Sequence, residues 1–301
     1  MALKITKSTD AIEVKNITMC VYAVPGVGKT TLGFTAEKPL LLDFDQGSYR
    51  SGNRGDVVQV ASWSDVASIT ADDLAPYKTL IVDTAGRALD ALTVDIINTN
   101  PKLGRGGALT LQGFGELKAR FIAWTKLIRS FGLDVVLISH SDEQRSGDDI
   151  IERLDMQGGS KNEIYKAADV MGRLYIKDGK RWLNFSPTDT AFGKNPAQLE
   201  PMIVPHYSED SQFLARVIST TKAKLNELSA EQKEVAAVLA DWKAKIDELD
   251  SAEAFTALIP ETQQADERVR DNVKKLLVAA AKAKGFEFDA KAKNFVQRAA
   301  A

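Results

Sequence analysis

The chain has 301 residues, 44% of them hydrophobic and 27% charged, with a formal net charge of −2. That length can bury a large core plus a smaller second unit, and a nearly neutral body excludes a global attraction for polyanions, so any nucleic-acid surface must be a local patch. The single Cys20 excludes an internal disulfide, and with only His140 and His206 beside it the chain lacks the ligands of a Cys/His zinc site. Residues 1–15 contain no apolar stretch of signal-peptide type, and no run approaches the roughly 18 apolar residues of a membrane span. A cytoplasmic protein without membrane contact is expected.

In chain order, the β-branched and aromatic run Ile17–Tyr22 predicts a buried strand. It leads into Ala23-Val24-Pro25-Gly26-Val27-Gly28-Lys29-Thr30-Thr31, and a helix is expected from Thr31. Within Pro39–Gly47 an apolar strand stops at two carboxylates and a glycine, and Val57–Val60, Tyr77–Thr84 and Leu133–His140 read as further strands, with a helix over 112–131 before the last. Near-continuous apolar runs alternating with helices predict a parallel sheet covered on both faces, with ligands at the carboxyl ends of its strands. A polar, Gly-rich interval over 142–161 reads as loop, and two alternating runs joined at Asp178-Gly179 read as a hairpin. The Pro-marked segment 187–205 predicts a boundary between a domain at 1–205 and a helical domain at 206–301. In the latter, stripes through Val217–Leu228, Val235–Leu249 and Val269–Leu277 predict separate helices, the second opened by a Ser229/Gln232 capping box.

The run at 23–31 is a P-loop pattern with Ala23 at its first position. Small residues let backbone amides from Val24 to Thr31 turn inward around phosphates, which requires Gly26 and Gly28. Lys29 is expected to neutralise the β- and γ-phosphates of ATP and Thr30 to offer a hydroxyl to Mg²⁺. Asp83, ending a buried strand, is the natural second metal residue, the acid of a Walker B strand. For the carboxylate that positions the attacking water, Asp45 and Asp43 are both candidates.

The order of these parts resembles the RecA/RadA recombinase core: P-loop, Leu42-Asp43-Phe44-Asp45-Gln46-Gly47, Leu80–Ala85, Val135–His140, a Gly-Gly loop, then Gly172–Tyr175. The pattern is most similar to phage-encoded RecA-like ATPases that act as single-strand annealing proteins, over roughly residues 14–205. The resemblance implies an α/β RecA-like P-loop NTPase core with a mostly parallel sheet, followed by a small helical C-terminal domain. It further implies a DNA-stimulated ATPase that binds single-stranded DNA in recombination and assembles as a ring or filament. By the same resemblance Asp45 stands near the family's catalytic glutamate, His140 at its γ-phosphate sensor, and Lys194 where a lysine reaches a neighbouring subunit's nucleotide.

The family's DNA-contacting loops would fall at two places. Residues 100–129 carry Lys102, Arg105, Lys118, Arg120, Lys126 and Arg129 against Glu116 alone, with Lys102 and Arg105 in a Gly-rich segment. Gln157-Gly158-Gly159-Ser160-Lys161-Asn162 is the second, and neither has aromatics, which favours sequence-independent backbone contact. The basic C-terminal segment 270–298 fits a solvated face, a further DNA surface, or docking of a partner such as a single-stranded-DNA-binding protein. Phe286, Phe288 and Phe295 would join that contact or cap the domain's own core. A helicase or helicase-loader ATPase, and a nucleotide-dependent switch with little hydrolysis, remain the alternative functions.

Overall fold

The computed structural model describes residues 13–146, 149–156, 160–290 and 292–297. Two compact units divide it, one spanning Val14–Leu225 and the other running from Asn226 onward. In the first, β1 (Thr18–Ala23) leads through the Gly-rich loop into α1 (Lys29–Gly33), then β2 (Pro39–Asp43), β3 (Asp56–Gln59), the short helices α2 (Ser64–Ala67) and α3 (Ala71–Leu74), and β4 (Thr79–Asp83). Next come α4 (Ala85–Thr99), the two-residue strands β5 (Gly104–Arg105) and β6 (Ala108–Leu109), α5 (Leu111–Ser130), β7 (Asp134–Ser146), β8 (Asp149–Leu154) and α6 (Ser160–Ala167). β9 (Val170–Lys177), β10 (Lys180–Asn184) and β11 (Met202–Val204) complete this unit's strands.

The strands form a nine-stranded sheet in the order β11-β10-β9-β1-β7-β4-β2-β3, with β8 paired to β7. From β9 to β3 every neighbour is parallel, and the β9-β10-β11 edge is antiparallel. One strand, β7, therefore stands between the strand that enters the Gly-rich loop and the strand that ends in Asp83. This is an α/β fold with a mostly parallel sheet covered by helices and a Gly-rich loop leaving its first strand.

Side chains alternate between two cores, as the period of a strand requires. Cys20, Tyr22, Leu80, Val82, Val135 and Leu137 pack on one face against Leu92, Ile96, Phe121 and Trp124 of α4 and α5. Met19, Val21, Leu41, Ile81, Val136 and Ile138 pack on the other against Leu32, Phe34, Leu214 and Ile218. Burial on both faces explains why these strands read as continuous apolar runs rather than alternating ones.

The interval 142–161 differs from the expected loop. β7 continues to Ser146 and pairs antiparallel with β8, and α6 already begins at Ser160, so Lys161 lies on a helix. Gly158 and Gly159, assigned from sequence to a DNA-contacting loop, lie outside the described residues. The sequence carries no strand signal there because Ser141 and Glu152, both buried, stand in place of apolar residues, the Ser141 hydroxyl donating to Glu152 Oε1 at 2.6 Å.

The compact core also reaches beyond Pro205. Phe213, Leu214, Val217 and Ile218 are buried in it, and the Leu214 amide donates to Thr35 Oγ1 at 3.1 Å. α7 (Phe213–Asp247) is a single helix of 35 residues, so the capping box at Ser229 does not form. The stretch has neither Gly nor Pro and is rich in Ala, Lys, Leu and Glu, whose intrinsic preference carries the helix through Ser229. The C-terminal unit adds α8 (Ala252–Gln264), α9 (Arg270–Ala283) and a hairpin of β12 (Phe286–Asp289) and β13 (Asn294–Gln297). Phe295 is buried beside Phe255 with ring centroids 5.7 Å apart, so the terminal aromatics largely cap this unit's own core, while Phe288 stays exposed. Among the described residues no helix is long and apolar enough to cross a membrane.

Ile81 is fully buried at the centre of the sheet, its Cδ1 3.2 Å from where a Cβ on Gly33 would lie. Ile81→Ala is expected to cost about 2–5 kcal/mol of stability, read as a lower urea midpoint with unchanged slope.

Candidate nucleotide site

The sheet register lines up the polar strand ends. Ala23 is the partner of His140 across β1 and β7, and Asp43 is the partner of Asp83 across β2 and β4. These ends open into a cleft of about 380 Å³ lined by Lys29, Thr30, Asp45, Asp83, Arg87 and His140, together with the Gly-rich loop. Pro25, Gly26 and Gly28 line it from the loop, Val24 is exposed, and Val27 turns inward to the core. Gly26 and Gly28 have φ of 85° and 94°, the left-handed region that a side chain disfavours.

Lys29 is buried at the loop's end, where its ammonium donates to the carbonyls of Ala23 at 3.0 Å and Val24 at 3.1 Å. It also contacts His140 Nδ1 at 3.2 Å. An ammonium only donates, so Nδ1 acts as the acceptor and the neutral ring carries its proton on Nε2, which faces Asp45 Oδ2 at 3.6 Å. Burial, and then the Lys29 charge, hold the imidazole below its ordinary pKa, favouring that neutral form. Burial likewise lowers the Lys29 pKa, against the opposing pull of Asp83 and Asp45.

The Thr30 hydroxyl donates to Asp83 Oδ2 at 2.5 Å. Burial pushes the Asp83 carboxyl up to about 6, helped by the charges of Asp43 and Asp45 and opposed by the Thr30 hydrogen bond and Lys29. Thr30 and Asp83 thus bring two hard oxygen donors together, a pair of the kind that could hold Mg²⁺. Among the described residues no cluster of three or more His, Cys, Asp or Glu could hold a metal without such help.

The two acids after β2 have different surroundings. Asp43 is buried and accepts from the amides of Gly47 and Ser48 at 3.1 and 2.9 Å and from Gln59 Nε2 at 3.1 Å, so it folds the turn. Asp45 projects into the cleft, 3.3 Å from Arg87 Nε and 4.0 Å from Arg50 Nη2. Neither arginine carries a site signal of its own in the sequence. Arg87 sits in the first turn of α4 directly after Thr84, a position whose proximity to the strand ends could have pointed to it.

Other expected residues lie elsewhere. The Lys194 ammonium donates to the Ala168 carbonyl at 2.5 Å, and the residue does not line the cleft of its own chain. Lys102 falls in a 3₁₀ turn and Arg105 in β5, both exposed and without an ion pair among the described residues. Of the other cations in 100–129, Lys118 pairs with Glu163, Arg120 with Asp95 and Arg129 with Asp169, which halves the free charge that the sequence suggested.

The model of a family described as an AAA domain matches residues 15–197. A KaiC-like protein from the hyperthermophilic archaeon Pyrococcus horikoshii is similar in structure at 11% identity and a TM-score of 0.31, over 57% of this chain and 78% of that one. No curated protein sequence matches.

A Cβ on Gly28 would lie 2.8 Å from Arg181 Nη1, whereas one on Gly26 would meet nothing within 4 Å. Gly26→Ala is therefore expected to cost about 1–2 kcal/mol from left-handed strain alone, and Gly28→Ala more, since Arg181 must also move. Parallel denaturant titrations of the two variants check the order.

Proposed function

The chain belongs to the AAA-domain family of P-loop ATPases, and from that premise we propose that its cleft binds ATP and hydrolyses it to ADP and phosphate. The observation that carries this is the convergence of Lys29, Thr30 with Asp83, Asp45 and His140 on the edge of the sheet from which the Gly-rich loop leaves. The loop amides and Lys29 hold the β- and γ-phosphates. Thr30 and Asp83 would hold Mg²⁺, which when bound would neutralise charge on those phosphates. Asp45 orients a water for in-line attack and takes its proton as the bond from the γ-phosphorus to the β–γ bridging oxygen breaks. Nε2–H of His140 donates to the γ-phosphate, and Arg87 adds positive charge beside it.

ATP turnover is expected to vanish in Lys29→Ala. In Asp45→Asn, kcat should fall about 10²-fold while ATP affinity changes only severalfold, because the carboxylate acts on water rather than on the nucleotide. Equal turnover in Asp45→Asn would remove its role. ATP binding by the unaltered chain without turnover would favour a nucleotide-dependent switch.

The finer reading is an ATPase of single-stranded DNA annealing or pairing, working as a homo-oligomer. Its support is the resemblance to phage-type RecA-like proteins and the exposed Lys102 and Arg105, one in the turn before a Gly-rich hairpin and one on it, both without an ion pair among the described residues. Neutralising both should flatten the dependence of log affinity for single-stranded DNA on log salt by about 1.4, ~0.7 for each cation lost. An unchanged slope would move the DNA surface elsewhere, and no DNA binding at low salt would favour a protein-directed ATPase of the helicase-loader kind.

A further inference from the structure

Beyond the phosphate cleft lies a second, open groove of about 630 Å³, and Thr31 lines both. The two are joined at three points. Thr31 Oγ1 is 3.0 Å from Ser51 Oγ; Ser51 lines the phosphate cleft and the next residue, Gly52, lines the groove. Arg181, on the groove's wall, places its guanidinium against Gly28 of the loop. In a P-loop the lysine reaches the β/γ end of the triphosphate and the amides before and after it cradle the α/β end. Passing from Asp83 and His140 through Lys29 to Thr31 thus runs from the γ-phosphate toward the sugar.

We infer that this groove receives the nucleoside half of the nucleotide, with the base stacked on Tyr207 and Arg181 beside the α-phosphate and ribose. The assignment rests on the ATPase reading of the cleft. Three features suit a flat heterocycle. The Tyr207 ring is half-buried and backed by His206, with ring centroids 4.3 Å apart and planes inclined by 37°. Ile203 is an exposed apolar residue on the same wall, which a base would cover. Arg181 Nη2 donates to the Pro205 carbonyl at 2.7 Å, which holds the guanidinium between the loop and the Tyr207 segment. Gly52 keeps the floor open: a Cβ there would lie 3.2 Å from Tyr207 Cε1. Its φ lies outside the left-handed region, so a side chain at 52 would enter the groove without backbone strain.

The position of Tyr207 is informative for the sequence as well. It falls just after the Pro-marked segment that reads as a domain boundary, yet it belongs to the core unit, and a base contact gives that connecting stretch a role.

The test separates base from phosphate. Affinities of the full chain for ADP and for inorganic tripolyphosphate, both with Mg²⁺, are measured by calorimetry. Tyr207→Ala should weaken ADP about tenfold, the scale of one lost base–aromatic stack, and leave tripolyphosphate unchanged. Tyr207→Phe, which keeps the ring, should bind ADP within about twofold of the unaltered chain. Gly52→Val, which crowds the groove without touching the loop, should also lose ADP affinity and keep tripolyphosphate. Unchanged ADP affinity in both Tyr207→Ala and Gly52→Val, or a parallel loss of tripolyphosphate in both, would overturn the assignment. Failure of the unaltered chain to bind either ligand would instead overturn the ATPase reading on which it rests.

Discussion

The parallel register of β1, β7, β4 and β2 is the constraint on which the site depends. Each strand is buried on both faces, so its register is held by the packing of every side chain, and a slip of one residue would exchange the two cores. With that register fixed, the chain has no freedom in where its polar strand ends fall. Ala23 meets His140, Asp83 meets Asp43, and the Gly-rich loop leaves from the same edge. The apolar residues of the interior thereby position charged groups they never touch.

At that edge the protein holds more charge than a stable interior favours. Three carboxylates, Asp43, Asp45 and Asp83, face Lys29, Arg50 and Arg87 across a small cleft. Asp43 is satisfied by backbone amides, and Arg87 sits between Asp45 and Asp90, 3.3 and 3.0 Å away. Among the described residues the Asp83 carboxylate has the Thr30 hydroxyl as its one hydrogen-bond partner, and burial raises its pKa. A buried acid left with so little compensation is the mark of a group kept for a ligand rather than for stability. The neutral His140 fits the same pattern, since a charged ring would set a second cation 3.2 Å from the Lys29 ammonium.

The sheet and the loop were legible because they rest on local signals. Continuous apolar strands, Gly26 and Gly28 at left-handed positions, and acids at strand ends can each be read from a few adjacent residues. What the sequence hid depends on distance along the chain. The choice between Asp43 and Asp45 turns on amides at 47 and 48 and on Gln59, and the groove wall at Arg181 and Tyr207 comes from segments far from the loop. The β7–β8 hairpin is held by buried Ser141 and Glu152, with half-buried Arg173 paired to Glu152, and these residues carry no apolar periodicity. The long α7 shows the opposite error: a local capping pattern at Ser229 was overridden by the helical preference of the residues around it.

The central claim is that the carboxyl edge of the sheet is the nucleotide site, and amide hydrogen exchange with and without Mg²⁺ and ATP tests it most directly. The account predicts slower exchange at residues 24–31, with smaller effects at 45–52 and 84–87, and none in β5 and β6. Unchanged exchange over 24–31 at saturating nucleotide, or protection confined to the unit beyond Asn226, would contradict it.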